Sequence, residues 1–527
     1  MQVRAILFDT RSIQKYIFSD NRLRTNIGAS YIVSHVFEDV LLGEILKPGA
    51  FGLQNVDTTS WKSWQTEEEL LEKVEPMTAD CYVAYIGGGN ALLLFPDRGE
   101  DVRKELVSAF TETLLVKYPG LKTGAAIGEL ALETGEGKQN FKESMDSLYG
   151  KLKENQFSIS PLVNVINTGL TLSCEVNGEV ANAFVTKGSL VKDKEPRFFS
   201  QEVWAKAMAA DKADAELTAD FADELAGGYS FPKELERLGQ RVTENDIAVV
   251  HIDGNNMGSL FAKCNGLAER SDLSKNVSAN TKETFKELLK YIVAKYDSYK
   301  KNLNLRQKEL PIRPLILGGD DITFICNAKL ALCYTKKFMS FLMDESIGGM
   351  SIDSCAGIAI VPTSYPFFRA YELAEQLCGE AKKSSRKLPG SSWLDFAILH
   401  GEQAPTIEQI REQEYKGALG DLHFGPYRVD GNSDYHFHLD KLLQAADGIV
   451  KAIPRSKYKE MRSVLQRGQH DINRFIEQLR HDGKALPHVD KWEKYEEKFW
   501  DDASGVYRTP YIDAIEIIDY IPPKEAR

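Results

Sequence analysis

One stretch limits what this chain can fold into more than any other: Leu315-Ile316-Leu317-Gly318-Gly319-Asp320-Asp321-Ile322-Thr323-Phe324-Ile325, two apolar runs joined by two glycines and two carboxylates. It reads as a β-hairpin, because glycine supplies the positive φ angles that tight hairpin turns require and leaves room for a phosphate or a second backbone. Two acids at the tip repel. At about 4 Å and an effective dielectric near 20 the repulsion is about 4 kcal/mol, relieved by solvent, protonation or a bound cation. Exposed hairpins also use Gly and Asp for their turns, so these four residues alone leave a solvated turn and a cation site equally open.

A further carboxylate lies upstream. Ile247-Ala248-Val249-Val250-His251-Ile252-Asp253-Gly254-Asn255-Asn256-Met257-Gly258 is a continuous apolar run, as in a buried central strand, that ends in Asp253 at a Gly-containing turn leading into a helix. A strand-end acid beside an acidic hairpin makes an all-oxygen site suited to Mg²⁺, which keeps waters and completes its shell with substrate phosphates. That is the chemistry of phosphoryl transfer.

The chain of 527 residues is 43% hydrophobic and 27% charged, enough for three or four domains. The start, Met1 to Asp9, lacks the basic opening and long apolar core of a signal peptide, and no apolar stretch reaches membrane-spanning length, so a cytoplasmic protein is expected. Seven cysteines with no CxxC pair argue against a disulfide framework or a zinc ribbon. A net charge of -12 argues against nucleic-acid binding over the whole surface and leaves room for a local basic groove.

The order of elements repeats. The first unit reads as a strand to Asp9, a helical pattern through Val36 to Ile45, a hairpin with the tip Gly87-Gly88-Gly89-Asn90, then helix, strand and helix over 100–118, 122–127 and 139–155. The second reads as a strand to Asp253, a helix over 281–299, the acidic hairpin, then helix, strand and helix over 329–343, 351–361 and 367–383, and a last strand over 393–399. Such βαββαβ order predicts an α+β fold of two tandem ferredoxin-like domains, each an antiparallel sheet with helices on one face. The expected domains are 1–165 with the acid-free tip, a linker over 166–245 with a small insert and a helical spacer, 246–400 with the acidic hairpin, and a helical C-terminal domain over 401–527.

Together the Asp253 to Gly258 turn, the Gly318 to Asp321 hairpin, Ser354-Cys355-Ala356-Gly357-Ile358-Ala359-Ile360 and the helix from Tyr371 to Lys383 resemble the large palm-domain subunit of type III CRISPR effector complexes, a family related to nucleotide cyclases. Arg24 to Tyr31 and the Gly87 to Asn90 tip are similar to its first palm domain. The resemblance implies a nucleotidyltransferase that converts ATP into cyclic or linear oligoadenylates in antiviral defence, working alone or with type III subunits, guide RNA and target RNA. It implies that Asp253, Asp320 and Asp321 are the catalytic residues and hold two Mg²⁺ or Mn²⁺ ions. Strand alternation places Asp320 ahead of its neighbour Asp321 as a ligand. Gly254, Asn256, Gly318, Gly319 and Lys382 are expected at the nucleotide, although a lysine at a helix C-terminus is ordinarily solvated. Gly87, Gly88, Gly89 and Asn90 are expected to take an acceptor nucleotide, or else to mark a purely structural repeat, and Asp9 is expected to be structural.

Several residues depart from the family pattern. Asn255 stands where a second Asp is common, and no His-Asp nuclease motif precedes the first unit, which implies a relative without that nuclease. His470-Asp471 and His481-Asp482 read as surface pairs, His436 and His438 as a solvated face, and Cys174 as the remnant of a cysteine-bearing insert. A diguanylate cyclase-like enzyme, a nuclease using the same carboxylates, and a non-catalytic scaffold of an RNA-guided complex remain the alternatives.

Overall fold

Fifteen strands form four sheets among the residues described by the computed structural model. Those residues are 1–76, 78–97, 100–132, 138–158, 169–186, 196–239, 244–264, 266–344, 346–347, 350–399, 401, 406–418, 420–431, 435–498 and 508–522. The chain is mixed α+β and divides into two units, 1–222 with 256–281 and 223–255 with 282–527. The expected domain boundaries at 165/166 and at 400 lie outside the described residues.

The first unit is built on β1 (Gln2–Arg11), β2 (Val56–Asp57), β3 (Cys81–Gly87), β4 (Asn90–Phe95) and β5 (Lys122–Ala131), in the order β2-β3-β4-β1-β5. β1 lies between β4 and β5, antiparallel to both. That central place explains why Ala5, Ile6, Leu7 and Phe8 are all buried without polar alternation. The helices Arg103–Lys117 and Lys138–Ser158 cover the sheet, with Phe8 packed edge-on against Phe110 at 5.1 Å. A second, two-stranded sheet joins β6 (Ala183–Val185) and β7 (Arg197–Phe199). Cys174 packs there with Phe199, Val203 and Ala207 as an ordinary core residue.

The second unit holds β8 (Asp246–Gly254), β9 (Ile312–Gly318), β10 (Asp321–Asn327), β11 (Ser346–Ile347), β12 (Met350–Ser351), β13 (Ser354–Pro362), β14 (Trp393–Ile398) and β15 (Tyr427–Arg428). Its main sheet runs β15-β14-β13-β8-β10-β9. The expectation of a purely antiparallel sheet is corrected at β13 and β14, which pair in parallel. The helix Phe367–Lys387 connects them as a crossover, and such a connection returns the chain in the same direction. The region beyond 400 is not wholly helical either. Tyr427 and Arg428 form β15 on the outer edge of β14, covering backbone groups that an open edge would expose.

Asp513, on the helix Tyr511–Ile517, fixes that region to the sheet. Its carboxylate accepts from His423 Nδ1 at 3.0 Å, Phe424 N at 2.9 Å and Tyr427 Oη at 2.6 Å. His423 Nε2 in turn stands 2.9 Å from Asp395 on β14. His438 is buried, not solvated as its sequence neighbourhood suggested: its Nδ1 accepts from Asp440 N at 3.2 Å and caps the helix Leu439–Ala452. His470 and His481 are exposed. The seven cysteines are all free thiols, and no helix among the described residues is long and apolar enough to cross a membrane.

Candidate active site at the acidic hairpin

β10 and β8 pair so that Asp321 lies directly opposite Asp253, and the hairpin closes with Asp321 against Gly318 on β9. Directly opposed residues put their side chains on the same face of the sheet. Asp253 and Asp321 therefore share a face at the end of the strands, with side chains about equally accessible, 29% each. Asp320 occupies the turn itself, and its carbonyl accepts from Gly254 N at 3.2 Å. Gly319 has φ +63°, and a Cβ built there meets nothing within 4 Å, so the tip is open to a ligand.

Lys382 reaches this rim from the helix Phe367–Lys387, with Nζ 2.7 Å from Asp253 Oδ2. The helix comes close because β13 carries Gly357, where a Cβ would lie 1.9 Å from the Ala374 carbonyl oxygen. Burial works against the Lys382 charge, but the hydrogen bond and charge of Asp253 more than reverse it, so the ammonium pKa is raised. Burial, followed by the charges of Asp253 and Asp321, pushes the Asp320 carboxyl above its usual value, with Lys382 opposing. Three acids and one lysine thus crowd one strand end. Among the described residues no group of three or more His, Cys, Asp or Glu side chains is placed to hold a metal ion by itself. Opposed carboxylates with an open side fit a hard cation that takes its other ligands from water and phosphate.

Asn255 turns away from the acids. Its Nδ2 donates to Ser385 Oγ at 3.0 Å and lies 3.5 Å from the Ser391 carbonyl, tying the strand exit to the end of the helix. Asn256 adopts φ +62° and opens the helix Met257–Lys263. His251 escaped notice in the sequence because it is the one polar residue within an apolar run. Its Nδ1 lies 3.4 Å from Asp321 Oδ1. The available signal was its spacing, two residues before Asp253 on a strand, hence on the same face.

The first unit repeats the geometry with different chemistry. Asp9 on β1 lies opposite Asn90, which closes the hairpin against Gly87. Asp9, Gly89 and Asn90 thus hold the register positions of Asp253, Asp320 and Asp321. The Asn90 side chain donates to its own turn at the Gly88 carbonyl, 3.1 Å, and Thr10 N donates to the Gly89 carbonyl at 2.8 Å. Burial raises the Asp9 pKa, opposed by a hydrogen bond from Gln156 and the charge of Arg11.

A sheet with opposed strand-end acids and a glycine hairpin is the arrangement of a palm domain. Residues 246–388 match the family model of the Cas10/Cmr2 second palm domain, and this part of the chain is a Cas10-like palm. The whole chain is similar in fold to solved Csm1-Csm4 cassettes. Against the cassette in complex with cA4 the TM-score is 0.52 at 13% identity, covering 99% of this chain and 70% of that one. Against the cassette in complex with AMPPNP it is 0.50 at 14%, covering 100% and 70%. Against the cassette in complex with cA3 it is 0.50 at 13%, covering 99% and 70%. No curated protein sequence matches the chain.

Proposed function

We propose that this chain is a metal-dependent nucleotidyltransferase that converts ATP into a cyclic or linear oligoadenylate. The observation that carries the reading is the opposition of Asp253 and Asp321 beside Lys382. In this reading a 3′-hydroxyl attacks the α-phosphorus of ATP, the bond to the β-phosphate oxygen breaks, and pyrophosphate leaves while the hydroxyl proton passes to solvent. Asp253, Asp320 and Asp321, with the Gly254 carbonyl, would hold Mg²⁺ or Mn²⁺. Such ions, when bound, supply Lewis acidity to the attacking and leaving oxygens.

Lys382 then exchanges Asp253 for a phosphate oxygen. Gly318 and Gly319 clear space for the triphosphate, and Asn256 borders it. The first unit, with Gly89 and Asn90 in place of acids, binds an acceptor nucleotide at Gly87, Gly88, Gly89 and Asn90 without catalysing. The two main sheets are read as tandem ferredoxin-like palms, spanning 1–165 and 246–400, joined by a linker and followed by a C-terminal domain. The likeness to Csm1-Csm4 cassettes in complex with cA4, cA3 and AMPPNP supports ATP as substrate and a Csm4-like subunit as partner; on this reading the chain works with type III CRISPR subunits, guide RNA and target RNA in antiviral defence.

The test is to incubate the protein with labelled ATP or GTP and Mg²⁺ or Mn²⁺, beside an Asp320→Ala, Asp321→Ala double variant. Phosphatase-resistant products made from ATP by the native protein alone support the reading. Products from GTP alone would redirect it to a guanylate cyclase. No product together with no metal-dependent nucleotide binding would leave a scaffold.

A further inference from the structure

We infer that Ser385 is a positioning residue for Lys382, and that the hydrogen bond it accepts from Asn255 holds the ammonium over the substrate phosphates once Asp253 has turned to a cation. This deepens, and rests on, the reading of Lys382 as a phosphate partner. Two rungs join the exit of β8 to the end of the helix Phe367–Lys387. In the first, Lys382 Nζ stands 2.7 Å from Asp253 Oδ2. In the second, Asn255 Nδ2 donates to Ser385 Oγ at 3.0 Å. The partners lie two residues apart on the strand exit and three apart on the helix, and residues three apart on a helix are neighbours on its surface. Each rung therefore helps to fix the place of the other.

The second rung belongs to a buried chain of hydrogen bonds. Ser385 Oγ in turn donates to the Ser391 carbonyl at 3.0 Å, Trp393 Nε1 donates to Ser391 Oγ at 2.6 Å, and Ser391 Oγ donates to the Leu388 carbonyl just past the helix. Ser385 is 8% exposed and Ser391 is fully buried. The Cys355 thiol, opposite Asp253 on β13, faces Asn255 and Ser385 as well. Upstream, Ala381 packs with Cys355, Cys378 and Trp393, and this apolar contact seats the helix. From Lys382 to Lys387 the one buried residue is Ser385, so the seat of the last turn is polar. When a cation takes Asp253 and Lys382 moves to a phosphate oxygen, the first rung opens. The second is a bond between neutral groups, stays shut, and keeps the helix end from drifting off the strand.

The test is the affinity of the full chain for AMPPNP at saturating Mn²⁺, measured by calorimetric titration for the native protein, Ser385→Ala, Lys382→Gln and the double variant, with thermal melting to establish that each is folded. A residue that acts through another gives a non-additive cycle. The expected result is that S385A lowers AMPPNP affinity about fivefold or more when Lys382 is present, and by less than about twofold in the K382Q background. An equal loss in both backgrounds overturns the inference, because Ser385 would then be a general strut. Native-like affinity in S385A overturns it too. If S385A does not fold, Asn255→Ala, which removes the donor and leaves Ser385 bonded to Ser391, goes through the same cycle with the same outcomes. K382Q alone separates the two readings: if it binds AMPPNP like the native protein, Lys382 holds no phosphate, and the need for positioning goes with that role.

Discussion

The Gln156 side-chain amide donates to Asp9 Oδ2 at 2.8 Å, the same place on the first sheet's strand-end acid that the Lys382 ammonium takes on Asp253 Oδ2, at 2.7 Å, in the second. Both donors come from the helix after the sheet's fourth long strand, Lys138–Ser158 and Phe367–Lys387. The charges change together: where three acids crowd the strand end the donor is a lysine, and where only Asp9 remains a neutral amide serves. The lysine therefore answers the charge of the acids, and in the cation-free protein it occupies an oxygen that a cation would use.

From this it follows that Lys382→Gln should bind Mn²⁺ more tightly without nucleotide, by about tenfold if a partly screened pair of ~1–2 kcal/mol is removed. It should bind ATP more weakly and turn it over more slowly. Metal titration with and without nucleotide measures both. A variant weakened in both would show the lysine to be only a strut for the helix.

Asp320 should give the metal-free protein a stability that falls as pH rises. Its folded-state pKa is raised above the usual 3.8, chiefly by burial and then by Asp253 and Asp321. The folded state therefore holds the proton more tightly than the unfolded chain does. Below the usual value both states are protonated and nothing is lost; as pH climbs through the raised value, stability declines and stays reduced above it. Asp320→Asn is expected to melt at a higher temperature than the native protein at pH 7 in chelator, with the gain vanishing at acid pH. Added Mn²⁺ should stabilise the native protein and not the variant. Equal melting of both proteins at pH 7 would mean that the turn is fully solvated.

The acids and the glycine tips could be read from the sequence because turn chemistry and strand pattern are local. Asp253, Asp320 and Asp321 needed only an apolar run and a hairpin to be placed near one another. Other features depend on residues far apart in the chain. β15 is two residues long and has no periodicity of its own, and the parallel pairing of β13 with β14 follows from the path of a crossover helix. Gln156 is an ordinary helix residue until the register sets it over Asp9. His251 sits inside an apolar run, and its neighbours Thr323 and Tyr371 are brought to it by tertiary packing.

Asn255 shows the same dependence, and the structure turns a doubt into a prediction. Asn255 stands where a second Asp is common in the family it resembles, and its amide donates to Ser385 Oγ and approaches the Ser391 carbonyl. A carboxylate there would face a carbonyl oxygen with no proton to offer. Asn255→Asp should lose about 1–3 kcal/mol of stability in chemical denaturation and gain no metal ion per chain. Tighter or additional Mn²⁺ binding in the variant would show that the turn can swing towards the acids.

The helix Phe367–Lys387 supplies a paired test, because two of its glycine relationships have opposite signs. At Gly357 on β13 a methyl group would lie 1.9 Å from the Ala374 carbonyl oxygen and 2.5 Å from Cys378 N, both backbone atoms of that helix. Neither can swing aside, so Gly357→Ala must lift the helix, and with it Tyr371 and Lys382, away from β8. The expected cost is about 3 kcal/mol or more, with nucleotide turnover lost even in the fraction that folds. Gly379 lies on the same helix but exposed, and a Cβ there meets nothing within 4 Å. Gly379→Ala should stabilise by roughly 0.5–1 kcal/mol, the helix-propensity gain of alanine over glycine, and leave turnover unchanged. Chemical denaturation of the two variants, with turnover measured alongside, separates the closeness of the helix to the sheet from the stability of the helix itself. If Gly357→Ala were tolerated as well as Gly379→Ala, the helix would not be seated on the strand that carries Asp253's neighbour, and Lys382 would have no fixed place over the acid.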